Sequence, residues 1–174
     1  MRIAVAGGTG VVGRHAAEAV RAAGHEVVVL SRSFGADVIT GAGLDAALQG
    51  ADAVIDVTNT TTLSAAKAVK FFETATRNLL AAESRAGVTH HVVLSIVGIG
   101  AIDASYYAGK LAQERAVAAG SVPFTIARAA QFHEFAGQLL SGMSGPVAVL
   151  PKLLMRPVAA REVGEHLVRV AEVA

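Results

Sequence analysis

The stretch from Arg2 to Gly13 constrains this chain more than any other. A short apolar run, Ile3 to Ala6, enters a glycine-rich turn, and a helix-compatible segment follows directly from Val11. Gly7, Gly10 and Gly13 stand in Gly-x-x-Gly-x-x-Gly spacing. Gly7 tolerates positive φ and lets the backbone turn sharply after the strand. Gly10 has no Cβ, so a pyrophosphate can approach the main chain, and Gly13 lets the helix pack closely on the strand. The start of the helix, with Thr9, Val11 and Val12 around the turn, presents free N–H groups and the positive dipole end to phosphates. A plain strand-to-helix loop would need glycine only for its turn. Here the motif follows a strand and opens a helix, the context that dinucleotide binding requires.

Beyond the turn, strand-like and helix-like segments alternate. The first helix ends at Gly24, a natural cap. Residues 26–30 form a β-branched run suited to a parallel strand buried on both faces. Asp37-Val38-Ile39 reads as a short third strand, residues 53–57 as a fourth, 90–95 as a fifth and 122–127 as a sixth. Helices are expected over residues 43–48, 63–85, 105–119, 131–140 and 158–173. The pair His90-His91 reads as surface or subunit-contact residues, because adjacent strand residues point to opposite faces and cannot easily share a metal. The Gly- and Pro-marked stretch 143–157 is the best candidate for a substrate lid or interface. The alternation argues an α/β fold, a doubly wound parallel sheet with right-handed crossovers. It predicts one domain over residues 1–174, with a dinucleotide-binding core over 1–130 and a small substrate-side appendage over 131–174.

Composition narrows the function classes. With 53% hydrophobic and 17% charged residues the chain is globular. A formal net charge of +1 and the lack of any basic block argue against nucleic-acid binding. No apolar run is long enough to span a bilayer. Cysteine is absent, so there is no disulfide frame or thiolate chemistry, which suits a reducing cytoplasm. The expected partner is a small-molecule substrate, with the protein a monomer or homodimer.

Several residues carry candidate chemistry. Ser31 and Arg32 follow the second strand, where an acid would bind the ribose 2′-hydroxyl of NAD. The missing acid and the arginine favour NADP over NAD. Asp37 and Val38 are candidates for the adenine edge, or Asp37 is simply a strand-edge aspartate. Thr58 and Asn59 end a parallel strand, where small polar residues line a cofactor crevice or cap the next helix. Ser95 also ends a strand, and Tyr106 and Lys110 are four residues apart, hence on one helix face. A neighbouring ammonium lowers a phenol's pKa and makes it a better acid near neutrality. On this reading Ser95 orients a substrate carbonyl, Tyr106 donates the proton and Lys110 tunes it. His133-Glu134 lacks the second histidine of a metalloprotease, and no metal-ligand set is complete elsewhere.

Taken together, Gly7 to Gly13, Ser31-Arg32, Leu94-Ser95-Ile96-Val97-Gly98, the run Tyr106 to Glu114 and Pro123 to Arg128 with Phe132 soon after give nearly the whole chain a resemblance. It resembles a short-chain dehydrogenase/reductase of the atypical, NmrA-like branch. The resemblance implies a Rossmann-type fold, an NADP- or NAD-dependent reductase-like role and a Lys110 that also holds the nicotinamide ribose. It implies a substrate cleft near Val97, Gly98, Gln131, Phe132 and His133. Ala129 stands where a proline is common in the family. Family members usually continue past the last helix, so the chain is expected to be a truncated or minimal version with a partial substrate side. Two functions follow. One is an NADPH-dependent reductase of a small carbonyl or quinone-like compound. The other is a dinucleotide-binding redox sensor or regulator without turnover, a kind of member that the NmrA-like branch includes.

Overall fold

A computed structural model describes residues 1–101, 103–135, 137 and 156–173. The elements in chain order are β1 (Arg2–Ala6), α1 (Val11–Ala22), β2 (Glu26–Leu30), α2 (Leu44–Leu48), β3 (Ala53–Asp56), α3 (Ala65–Ala86), β4 (His90–Ile96), α4 (Ser105–Ala118), β5 (Phe124–Ala129) and α5 (Ala160–Ala171). All strand pairings are parallel, in the order β2-β1-β3-β4-β5. Such a sheet must be covered on both faces. Ile3, Val5, Ile55 and Val92 face α1 and α5, while Ala4, Ala6 and Val54 face α2 and α3. The result is the doubly wound α/β architecture expected of the alternating pattern.

Small residues set the distance between helices. A Cβ on Gly109 of α4 would lie 2.7 Å from Ala68 and the Phe72 ring of α3, and one on Gly164 of α5 would lie 2.7 Å from the Ala16 nitrogen of α1. The last helix therefore belongs to the core, with Val163, Leu167 and Val168 buried against α1. Its first N–H, on Ala160, donates to the Glu134 carboxylate at 3.1 and 3.2 Å, which supplies the missing helix cap.

Three sequence expectations are corrected. Asp37 to Ile39 is a turn, not a strand. Asp37 Oδ1 accepts the Ile39 N–H at 2.8 Å, its carbonyl accepts the Gly41 N–H at 2.8 Å, and Asn78 of α3 donates to the Val38 and Ile39 carbonyls. Aspartate bonding its own backbone two residues on competes with strand pairing. β2 is consequently an edge strand, and Val27, Val28 and Val29 are only half-buried. Residues Gln131 to His133 are extended, not helical: Val158 donates to Gln131 at 2.9 Å and His133 donates to Val158 at 3.1 Å, pairing Phe132 with Val158. Leu139, the later part of that expected helix and residues 143–155 of the anticipated lid over 143–157 lie outside the described residues. Finally, His90 and His91 are buried rather than at the surface, 7% and 0% exposed. Their opposite directions take His91 into the interior and His90 to the wall of a concavity at the amino ends of β4 and β5. His91 Nδ1 meets the buried Glu83 carboxylate at 2.9 and 3.0 Å, and His90 Nε2 meets the Thr125 hydroxyl at 2.9 Å.

Candidate functional site

Every strand delivers its carboxyl end to one edge, and the strand order reverses between β1 and β3. Ligands of open parallel sheets bind at such a switch point. The glycine turn occupies it. Gly7 has φ +79°, and a Cβ there would lie 2.9 Å from the Val57 carbonyl, so the turn is pressed against the end of β3. A Cβ on Gly13 would fall 2.7 Å from the Gly8 Cα, so helix and turn touch through backbone. Gly10, the residue before α1, differs: only the Gly7 carbonyl, at 3.2 Å, would meet its Cβ. Thr9 and Gly10 are exposed, and α1 has no side-chain cap. Its first N–H groups are therefore open to an anion. Val12 is buried beneath the turn and Val11 half-buried.

Around that turn, Ser31 and Arg32 follow β2 in a short 3-10 turn, where the Ser31 and Ser33 hydroxyls are 2.9 Å apart. Arg32 is exposed and makes no ion pair among the described residues. Thr58 follows β3 with a buried hydroxyl lacking any hydrogen-bond partner. Asp37 spends its Oδ1 on its own turn, as described above.

The second half of the edge belongs to β4 and α4. Ser95 is the last residue but one of β4, is 3% exposed, and pairs in register with Arg128. No hydrogen bond of good geometry satisfies its hydroxyl, although the Glu114 carboxylate, which accepts from Arg128 at 2.7 and 2.9 Å, lies near it. That bidentate pair, with some help from Ser95, holds the Glu114 carboxyl below its usual pKa. The exposed residues at this end are Val97 and Gly98. Tyr106 sits in the first turn of α4 with its ring edge-on to Phe72, and its O–H donates to Asn59 Oδ1 at 2.8 Å. Burial, with a smaller contribution from Tyr107, pushes the phenol up to about 12, opposite to the lowering that the Tyr-x-x-x-Lys spacing suggests. Lys110 is engaged elsewhere. Its Nζ turns inward, donating to the Leu94 carbonyl at 2.6 Å and to Gln113 Oε1, and lies 4.8 Å from the Phe72 ring centroid. Burial pulls this ammonium down to about 8, against the opposing charges of Asp56 and Glu114.

The family model for the NAD dependent epimerase/dehydratase family matches residues 3–128, which span the glycine turn, Tyr106 and Lys110. The chain belongs to that family. No curated protein matches it. Among solved structures it is similar to the UDP-N-acetylglucosamine 4-epimerase of Bacillus cereus, at 20% identity and TM-score 0.77, over 99% of this chain and 75% of that one. It is similar to the triphenylmethane reductase of Citrobacter sp., at 18% identity and TM-score 0.72, over 98% and 64%. A third is the NADPH-dependent quinone oxidoreductase QOR2 of Escherichia coli, complexed with NADPH, at 19% identity and TM-score 0.61, over 80% and 54%. These likenesses bear out the Rossmann-type fold, and the family match bears out the short-chain dehydrogenase/reductase resemblance.

Membership in an NAD(P)-binding family gives the carboxyl edge its meaning. The structure gathers Gly7, Gly10, Ser31, Thr58, Asn59, Tyr106 and the end of β4 along it. It turns Phe132 into the core on the α1 and α5 face, while Gln131 is half-buried and His133 exposed. Two concavities lie elsewhere: about 550 Å³ between α1 and α5, and about 670 Å³ at the amino ends of β4 and β5. Neither holds a glycine turn or the tyrosine–lysine pair. Sequence reasoning missed Asp56 and Gln113, which sit directly behind Lys110. The available signals were an acid ending the apolar run Ala53-Val54-Ile55 and a glutamine three residues after Lys110 on the same helix. Among the described residues no group of three or more His, Asp or Glu is placed to hold a metal, and no helix is long and apolar enough to cross a membrane.

Proposed function

We propose that this protein is an NADP(H)-dependent reductase of a small carbonyl or quinone-like compound, with Tyr106 as proton donor. The observation carrying this reading is that Tyr106 lies on the same edge as an open glycine turn, with its O–H held at that edge by Asn59. The residues fit a dinucleotide: Gly10 leaves the α1 N–H groups open, and Thr58 and Ser95 keep buried hydroxyls without partners. Buried polar atoms of that kind call for a ligand or water. Arg32, exposed and uncommitted, suits a 2′-phosphate, and Lys110 suits the ribose hydroxyls. The cofactor, when bound, supplies the hydride. Tyr106 then turns its O–H from Asn59 to the substrate oxygen as negative charge grows there. Ser95 donates to the same oxygen, and Val97, Gly98, Gln131 and His133 border the substrate. A cytoplasmic location suits the cysteine-free sequence.

A second reading, dinucleotide sensing without turnover, is favoured by one feature: Lys110 is already committed to Leu94 and Gln113, and Tyr106 to Asn59. A screen of NADPH oxidation with aldehydes, ketones and quinones separates the two. Turnover of any of them supports the reductase, whereas tight NADPH binding with no turnover across the panel supports the sensor.

A further inference from the structure

The partners of Lys110 form a chain that the Tyr-x-x-x-Lys pattern does not contain. Gln113 is fully buried, and while its Oε1 accepts from Lys110, its Nε2 donates to Asp56 Oδ2 at 2.9 Å. Asp56 is fully buried too, and its other oxygen accepts the Thr58 N–H at 2.8 Å. One carboxylate therefore reaches both halves of the edge: the turn after β3 directly, and Lys110 through an amide.

The direction of that amide is dictated by chemistry. A carboxylate can only accept, so the NH₂ end of Gln113 must face Asp56. Its oxygen is then left for an ammonium, which can only donate. A buried amide able to satisfy both ends in just one orientation is locked. Remove the negative charge and either orientation becomes possible, including one that points NH₂ at the ammonium. We propose that Asp56 is a positioning residue acting through Gln113: it locks the amide so that Lys110 is retained as an ordered cation at the cofactor edge. The inference rests on the reading of Lys110 as a cofactor-holding group.

The surroundings leave this role to Asp56. The other acid near Lys110, Glu114, is held by Arg128. Phe72 of α3 presents only its ring face to the ammonium, which adds a cation–π contact. Tyr106, one turn back, is bonded to Asn59. Behind Asp56, His91 and Glu83 pair with one another, and Asp56 contributes to the raised pKa of His91. Burial lowers the Lys110 pKa, and the charges of Asp56 and Glu114 work against it.

The test follows the lysine itself. The sequence holds four lysines, Lys67, Lys70, Lys110 and Lys152, so the Cε resonance of Lys110 can be followed in protein labelled with ¹³C-lysine. In the parent the expected midpoint is about 8. In Asp56→Asn the midpoint falls by about one pH unit or more, and Gln113→Met, which removes the amide, lowers it as well. The double variant Asp56→Asn/Gln113→Glu exchanges acid and amide while keeping a donor or acceptor at each link, and it returns the midpoint to the parental value or above. NADPH affinity follows the same order, with the alkaline limb of binding moved to lower pH in the single variants. An unmoved Lys110 midpoint in both single variants overturns the proposal, as does a double variant that titrates no higher than Asp56→Asn. Should Asp56→Asn fail to fold, Gln113→Met and the double variant decide the matter. A midpoint that shifts as stated, alongside Lys110→Ala with parental NADPH affinity, leaves the relay standing and refutes the cofactor role of Lys110.

Discussion

The two halves of the carboxyl edge are built from different material. The glycine turn is made of backbone: Gly7 and Gly13 are pressed against main-chain atoms, and the ligand-facing groups are N–H groups whose direction the fold fixes. The α4 half is made of side chains, and each has a partner within the protein, Tyr106 with Asn59 and Lys110 with Leu94 and Gln113. The turn is thus ready for an anion before one arrives. The tyrosine–lysine half must exchange partners as it binds. A backbone site is set by which residues lack a Cβ, whereas a side-chain site is set by competition among hydrogen-bond partners, and the partner with the best geometry in the free state need not be the one used later.

Gly10→Val breaks the first half alone. Its Cβ meets only one carbonyl at 3.2 Å, and the local backbone, φ −76° and ψ −179°, suits any residue. The variant should fold as the parent does and show no NADPH binding by calorimetry. Gly13→Ala should lose both binding and stability, because its Cβ has no space. If Gly10→Val binds like the parent, the turn is not the phosphate site.

Tyr106→Phe breaks the second half alone. Turnover of a responsive substrate should fall by about 10²–10⁴-fold, while NADPH affinity stays at the parental value. Tyr107→Phe serves as the control and should leave the rate unchanged. Parental turnover in Tyr106→Phe would remove the phenol from the mechanism.

The seam beneath the second half can be cut at Glu83→Ala. Removing one partner of a buried pair costs about 3–5 kcal/mol, readable by denaturant titration. The pair also has a pH signature. Burial alone would lower the His91 pKa, but the bond and charge of Glu83, with Asp56, raise it above its ordinary 6.5. Its contribution to stability is complete below pH 6.5 and is lost as pH rises through the higher folded value. The parent's melting temperature should decline over that interval, and Glu83→Ala should not share the decline.

Arg32→Ala makes the finest distinction. An arginine–phosphate contact is charge-assisted, and losing it should weaken NADPH by roughly 1.5–3 kcal/mol and leave NADH nearly untouched. Equal losses would remove Arg32 from 2′-phosphate recognition.

The same contrast explains what could be read from the sequence. The glycine turn was legible because missing Cβ atoms are visible as letters. The alternation of β1 to β5 with helices was legible because buried parallel strands are continuous apolar runs. Asp37 to Ile39 misled because its β-branched residues look like a strand, while the Asp37 carboxylate and Asn78, some forty residues away, hold a turn. His91 was misplaced because nothing local announces Glu83, one helix end away and facing inward. The Tyr106–Lys110 spacing was plain, but the direction of the tyrosine shift was not, since it depends on how deeply the phenol is buried, with Tyr107 beside it.

The close approach of Gly164 to Ala16 has a further consequence, for the order in which the molecule is made. α1 carries the glycine turn at its start, yet the surface that covers α1 comes from α5, nearly 150 residues later. Until that helix emerges from the ribosome, Val12, Ala16 and Val20 have no partner on their outer side. The first strand and turn to be synthesised are among the last to be finished. A nascent chain in that state exposes an apolar helix face, and such faces invite association with other chains or with chaperones.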